Sequence, residues 1–305
     1  VLSTKPEIIK LASLIALLKK KKIDFILVNT NQHFSKLMSS VFFSFFKIPN
    51  PRYNIMASNT RDGNFFSKAI NQVEKILYKE KPSFLIVQGD TNTALAGCLA
   101  ASIFNRKFHI KNKKIKIVHI ESGLRSFDNN MPEEINRKLI DQMSNILFTP
   151  TKFDLDNLKN ERLTLDKKIF TVGNTISDII KKFSPLTKKH NILKKLDILK
   201  DKYFLLTLHR PESVDNKTKL IKLILNLEKI GKQYNIIFLF PVHPRTKKII
   251  NKINIKKLNF INFIKPLNFL DFLTVMKNSK IIFTDSGGIQ EESSLLGIPC
   301  ITLRS

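Results

Sequence analysis

Short apolar runs and longer helix-patterned stretches take turns along this chain, and that alternation limits the possible folds more than any other feature. Phe25–Val28, Phe84–Val87, Ile115–Ile120 and Ile146–Thr149 read as strands, interleaved with helical patterns over Asn64–Lys79, Asn92–Ile103 and Pro132–Met143. Before them, Thr4-Lys5-Pro6-Glu7 is a capping-box pattern with proline in the first turn, opening a helix that runs to about Lys20. A second series starts at Phe204–Leu208. It continues through a helix over Lys217–Gln233, strands at Ile236–Phe240 and Phe260–Ile264, and a helix over Phe269–Met276. It closes with the Ile281–Thr284 run, a helix ending at Gly297 and a strand over Pro299–Leu303. Strands that alternate with helices need crossover connections, so the sheets are expected to be parallel and covered by helices on both faces. The expected class is α/β, with two Rossmann-like doubly wound domains, 1–172 and 173–305, and ligands at the carboxyl ends of the strands in the cleft between them. A low-complexity, Lys-rich stretch from Lys181 to Lys202 separates the two series.

Composition removes several alternatives. With 305 residues and 43% hydrophobic content, the chain can build two ordinary cores. Its most apolar stretch, Leu11–Leu18, is closed by Lys19–Lys22, too short to span a bilayer, and Val1-Leu2-Ser3-Thr4 leads into a helix rather than a secretory leader. Cys98 and Cys300 lie far apart in apolar runs and read as reduced core residues. A cytoplasmic protein without membrane contact is expected. The formal charge of +27 invites a nucleic-acid reading. The lysines, however, are spread along the whole chain among Ile and Asn, and no basic motif interleaved with aromatics is present, so no nucleic-acid partner is expected. The excess charge reads as a solvated face able to steer an anionic substrate.

Polar residues fall where a doubly wound fold would use them. Asp90, Glu121, His209, His243 and Asp285 each follow a strand. Each has a plainer reading: Asp90 before Thr91 can cap a helix, and Glu133 and Glu134 suit a helix's first turn through the dipole alone. His243 between Val242 and Pro244 can be a structural histidine, and Arg125 can pair with any carboxylate. Taken together, carboxylates from one series and histidines from the other suit proton removal and delivery in a cleft. Ser286-Gly287-Gly288 follows the Ile281–Thr284 strand and opens a helix. Free N–H groups and the positive end of the dipole then face an incoming anion, and glycines let phosphates approach the backbone. No set of His, Cys or carboxylate residues has metal-ligand spacing, so no metal is expected.

Gln88-Gly89-Asp90-Thr91, His119-Ile120-Glu121-Ser122-Gly123-Leu124-Arg125, Pro132-Glu133-Glu134-x-Asn136-Arg137, Gly173-Asn174-Thr175, His209-Arg210-Pro211-Glu212-Ser213-Val214, Pro241-Val242-His243-Pro244-Arg245-Thr246 and Ser286-Gly287-Gly288 occur in this order. The whole set resembles the non-hydrolysing UDP-N-acetylglucosamine 2-epimerases. The resemblance implies a GT-B fold, a UDP-sugar substrate, and a homodimer that uses neither metal nor any other cofactor. It implies C2 epimerisation of UDP-GlcNAc to UDP-ManNAc by elimination of UDP to a 2-acetamidoglucal and re-addition to the other face. By position it assigns Asp90, Glu121 and Glu133 as acid/base carboxylates, with His209 completing the catalytic set. Ser286, Gly287 and Gly288 would hold phosphate, Glu292 the ribose hydroxyls, and Phe272 the region of the uracil. Lys5, Lys10, Arg125, Arg210 and His243 complete the substrate contacts it implies.

The chain departs from the family pattern in places. Ser3-Thr4-Lys5-Pro6-Glu7 stands where the family has Gly-Thr-Arg-Pro-Glu, and Lys5 lacks the bidentate fork of arginine. Relative to the family pattern the chain reads as truncated at both ends, with the second domain incomplete. Leu267 stands where some bacterial members have glutamine, which leans toward archaeal-like enzymes and UDP-2,3-diacetamido-glucuronate 2-epimerases. That second substrate, a GT-B glycosyltransferase or hydrolysing epimerase, and an inactive UDP-sugar binder are the alternative readings.

Overall fold

A computed structural model describes residues 1–31, 42–57, 62–107, 114–242, 244–250 and 258–303. The chain divides into two compact units, Val1–Ile179 and Ile180–Ser305. In the first, strands β1 (Val28–Asn29) and β2 (Tyr53–Asn54) pair in parallel. Strands β3 (Phe84–Gln88), β4 (Lys116–Ile120), β5 (Ile146–Thr149) and β6 (Lys168–Thr171) form a second parallel set in that order. Val1–Leu2 joins the two sets: Leu2 N donates to Val28 O at 2.9 Å, and the Val1 amino group donates to Ile86 O at 3.0 Å. The order across the unit is therefore β2, β1, Val1–Leu2, β3, β4, β5, β6, which grows outward in both directions from the first segment.

The second unit repeats this logic with β7 (Tyr203–Thr207), β8 (Ile237–Pro241), β9 (Ile261–Ile264), β10 (Ile281–Thr284) and β11 (Cys300–Thr302). Its order is β11-β10-β7-β8-β9, parallel throughout. In both units the order reverses direction next to the unit's first strand. That reversal sends the adjoining crossovers to opposite faces and leaves a crevice at the strands' carboxyl ends.

Strands covered on both faces are continuously apolar, and β7 is buried along its whole length. Phe204, Phe238 and Phe283 from β7, β8 and β10 meet with ring centroids 5.0 to 5.4 Å apart, at the centre of the second core. The first core lies around Leu85, Val87, Ile117 and Ile140, with Ala94, Ala96, Ala100 and Ala101 of the helix Asn92–Lys107 packed against the sheet. Small side chains along that helix allow its close approach. Helix ends are closed by side chains and by left-handed residues. Asn216 accepts from Lys219 N at 3.1 Å to open Lys217–Tyr234, and Asn235 (φ 51°) and Gly297 (φ 69°) terminate their helices.

Several elements differ from the sequence reading. The Lys181–Lys202 stretch is not a bare separator. It contains a 3₁₀ helix (Ser184–Lys189) and a helical turn (Ile192–Lys195), with Thr187, Ile192 and Ile198 buried in the second unit. Its lysines point outward and mask these residues and Phe183, which anchor it. Strand β6 and the helix Lys152–Asn160, opened by the capping box of Thr151 and Asp154, also went unread. Cys98 is buried as expected, and burial pushes its thiol up, whereas Cys300 on the edge strand β11 is only partly covered.

Gly231, inside the helix Lys217–Tyr234, tests the packing of the second unit. A Cβ there would lie 2.6 Å from Phe260 Cβ and 2.9 Å from Ile236 O, neither of which is the end of a flexible side chain. Alanine gains about 1 kcal/mol of helix propensity over glycine. Overpacking against these atoms costs about 1–3 kcal/mol. Gly231→Ala should therefore lower the urea midpoint of unfolding; an unchanged or higher midpoint would show that Phe260 gives way.

Candidate active site

At the reversal point of the first unit, the turns after β3 and β4 carry Asp90 and Glu121. Both turns need left-handed backbone: Gly89 has φ 67° and Glu121, a non-glycine residue, has φ 73°. A glutamate held in this region is strained by about 1–3 kcal/mol, a cost that surrounding structure must sustain. It is sustained here by Glu121 N and Ser122 N, both donating to Phe148 O at 3.0 Å. The Glu121 carboxylate receives Lys10 Nζ on both oxygens at 2.7 Å and Gln88 Nε2 on one at 2.6 Å. Charge assistance makes this the strongest class of hydrogen bond. Lys10 comes from the helix Lys5–Lys20, so the first and fourth segments of the unit converge on one carboxylate.

Asp90 is not a helix cap. Thr91 takes that task, its hydroxyl accepting from Ala94 N at 3.1 Å and donating to Glu7 Oε1 at 2.8 Å. The Asp90 carboxylate is left to Arg137 Nη2, and its carbonyl accepts from Asn136 Nδ2 at 2.9 Å. Both partners come from the helix Pro132–Met143. Glu133 on that helix is exposed, whereas Glu134 is buried and accepts from Ser126 N, Ser126 Oγ and Phe127 N at 2.8, 2.9 and 3.3 Å. Glu134 thus ties down the loop after β4. Burial pushes its carboxyl up, and the bonds from Ser126 with the charge of Arg137 more than offset this and hold it below the usual range.

Buried Glu7 accepts from Ser3 N at 2.9 Å and Thr4 N at 2.6 Å, and burial pushes its carboxyl up. It organises the turn that carries Lys5, whose ammonium lies 5.6 Å from the Phe42 ring centroid and is pulled down by burial. Arg125 is used internally. Its Nη1 donates to Asp141 Oδ2 at 2.8 Å, and its Nε and Nη2 fork onto Glu161 at 2.6 Å each. Its side chain is fully buried between these acids. A bidentate fork of this kind clamps the turn after β4 to the helices that end in or carry these acids.

In the second unit, the reversal point lies between β7 and β10. Asp285 is buried after β10 and accepts from His209 N at 3.0 Å and Arg210 N at 2.9 Å. Its Oδ1 lies 3.0 Å from His209 Nδ1, while the His209 side chain is 41% exposed. A carboxylate on Nδ1 selects the tautomer protonated there and orients the ring. Burial raises the Asp285 carboxyl, and the His209 and Arg210 hydrogen bonds outweigh that and push it down to about 2. Ser286 follows in extended conformation and caps the helix Gly287–Leu296, whose first backbone bond runs from Gln290 N to Ser286 O at 3.2 Å. The N–H groups before Gln290 have no acceptor within the helix. A Cβ added at Gly288 would meet nothing closer than Ser286 Oγ at 4.0 Å, so the approach is open. Glu292 lies on this helix, and Phe272 is partly buried on the helix Phe269–Lys277. His243 lies outside the described residues.

A family model described as UDP-N-acetylglucosamine 2-epimerase matches residues 15–305. The chain belongs to that family. It is 44% identical over its whole length to the UDP-N-acetylglucosamine 2-epimerase of Methanocaldococcus jannaschii, covering 82% of that protein. It is 37% identical, again over its whole length and 82% of the relative, to the UDP-2,3-diacetamido-2,3-dideoxy-D-glucuronate 2-epimerase of Pseudomonas aeruginosa. The crystal structure of the M. jannaschii enzyme in complex with UDP-GlcNAc and UDP superposes with a TM-score of 0.87 at 44% identity, covering 99% of this chain and 82% of that one. That of the Neisseria meningitidis enzyme bound to UDP-GlcNAc gives 0.84 at 32% identity, covering 99% and 81%. The two doubly wound units are accordingly those of the GT-B class. Among the described residues no helix is long and apolar enough to cross a membrane, and no group of His, Cys, Asp and Glu is arranged to hold a metal ion.

Residues whose individual roles the sequence did not show include Glu7, Gln88, Arg137 and Asp141, and Asp285 stood out there only as a strand-end residue. Their common signal is a polar residue at a position the core would otherwise claim. Asp285 offers a direct test. A carboxyl held low in the folded chain contributes stability above its unfolded pKa, about 4. That contribution is lost as pH falls through the folded value of about 2. The difference in denaturant midpoint between the parent and Asp285→Asn should thus be full at neutral pH and shrink between about pH 4 and about pH 2; a constant difference would place the effect elsewhere.

Proposed function

We propose that this chain interconverts the C2 epimers of a UDP-N-acetylhexosamine, UDP-GlcNAc and UDP-ManNAc. The observation that carries the reading is the pair of equipped reversal points. One gathers carboxylates held by cationic partners, and the other joins an Asp-oriented histidine to an open, glycine-started helix. Relatives at 44% and 45% identity bear the UDP-N-acetylglucosamine 2-epimerase name, against 37% for the diacetamido-glucuronate enzyme, which favours the first substrate.

In this reading a carboxylate of the Asp90, Glu121 and Glu133 set removes the C2 proton while the C1–O bond to UDP breaks, giving a 2-acetamidoglucal and free UDP. A second member of the set returns a proton to the opposite face of C2 as the UDP oxygen re-forms the bond at C1, so atoms and charge balance over the cycle. Lys10 and Gln88 keep the Glu121 oxygens aimed, and Arg137 does the same for Asp90. The departing diphosphate needs donors already in place, which the N–H groups of Gly287 and Gly288, with Ser286, supply without reorganisation. His209, oriented by Asp285, and Arg210 act on the same diphosphate end. Glu292 and Phe272 take the ribose and uracil, and Lys5 and His243 extend the contacts. Arg125 is assigned to the structural clamp instead. The same reading makes the protein a cytoplasmic homodimer acting without metal or nicotinamide.

Proton NMR in D₂O with UDP-GlcNAc tests this. Deuterium should enter C2 of both epimers with UDP retained, whereas free ManNAc with free UDP would replace the reading by hydrolysis. Glu121→Gln and Asp90→Asn should each lower kcat by about 10²–10⁴-fold, the worth of a general acid or base. UDP affinity should stay within about threefold in both, because neither removes ground-state binding. Gly287→Val should do the reverse and weaken UDP binding, as read by calorimetry.

A further inference from the structure

His119 sits two residues before Glu121 and has no part in the reaction as proposed. It is fully buried in β4. Its Nδ1 lies 2.7 Å from Asp141 Oδ1 and its Nε2 lies 2.9 Å from the Gly89 carbonyl oxygen. A carbonyl oxygen can only accept, so Nε2 carries a hydrogen. Nδ1 faces the Asp141 carboxyl. Asp141 also accepts from Arg125 Nη1 at 2.8 Å and Gly123 N at 3.1 Å, donors that favour its ionised form.

We propose that His119 is a positioning residue, which pins the Gly89 carbonyl and so sets the Asp90 carboxylate for catalysis. The role rests on the epimerase reading; the hydrogen-bond link does not. The other ionisable groups near the ring have partners of their own or stay neutral. Lys167 bonds to the carbonyls of Gln142 and Ser144 at 2.7 Å, beyond Asp141. Cys98, from the helix Asn92–Lys107, is kept a neutral thiol by burial. Glu121 and Asp90 in the adjoining turns pair with Lys10 and Arg137, and Glu134 on the helix of Asp141 pairs with Arg137.

The geometry explains why the Gly89 carbonyl matters. Gly89 N donates to Ile120 O at 3.0 Å, and Asn136 holds the Asp90 carbonyl. His119 is the link that joins this turn to Asp141 and, through it, to the Gly123–Arg125 turn. Displacement of a reacting group by about 1 Å costs about 100-fold in rate.

The Gly89 link is read directly by ¹⁵N NMR of the imidazole in the full chain, where Nε2 should carry a hydrogen. An Nε2 without one would overturn the proposal. Kinetics with UDP-GlcNAc test the positioning. His119→Gln can present an N–H near the Nε2 position and keep the Gly89 link, while His119→Asn can keep only the Asp141 link. His119→Asn should lower kcat by about 100-fold with KM within about twofold, and His119→Gln should retain at least about tenfold more activity. Equal losses, or a loss confined to KM, would overturn the positioning role. An inactive parent protein would refute the epimerase reading and the positioning role with it, while the ring spectrum still decides the Gly89 link. Should either variant fail to fold, the parent spectrum alone decides the proposal.

Discussion

Reversal of strand order beside the first strand of each sheet is the constraint from which the rest of this molecule follows. Where neighbouring strands send their crossovers to opposite faces, nothing fills the space beyond their carboxyl ends. In the first unit that point lies between Val1–Leu2 and β3, and in the second between β7 and β10. The turns that must form there place Asp90, Glu121, His209 and Ser286 without any further instruction. Backbone amides exposed by the same turns supply the donors an anion needs.

Buried carboxylates divide into those that build these turns and those left to act. Glu7, Glu134 and Asp141 accept from backbone N–H groups of their own neighbourhoods, so each stabilises one loop conformation. The Asp90 carboxylate accepts from Arg137, and that of Glu121 from Lys10 and Gln88. Side-chain partners can rearrange around a substrate at lower cost than a backbone turn can. The strained Glu121 backbone fits the same division, because strain of this kind persists only where the neighbouring structure enforces it.

Much of this was legible in the chain itself. Sixteen of the helices and strands follow from apolar periodicity, caps and terminating glycines, with ends displaced by a residue or two at Tyr203, Ile237 and Cys300 and by three or four at Val28 and Lys107. What escaped reading was short or lysine-masked: β2, β6 and the Ser184–Lys189 turn present few apolar residues to any periodic pattern. Arg125 shows the limit on the site. Its motif names the arginine but not its partners Asp141 and Glu161, which lie 16 and 36 positions away.

Sequence alone determined the α/β class, the two series of parallel strands and the family, because periodicity and ordered motifs are local properties. Tertiary structure alone decided which of two adjacent glutamates, 133 or 134, is buried, which acid meets Lys10 across 111 positions, and which histidine bridges Asp141 and the Gly89 carbonyl. Those choices depend on desolvation and on donors brought from distant segments, and neither exists until the sheets have closed.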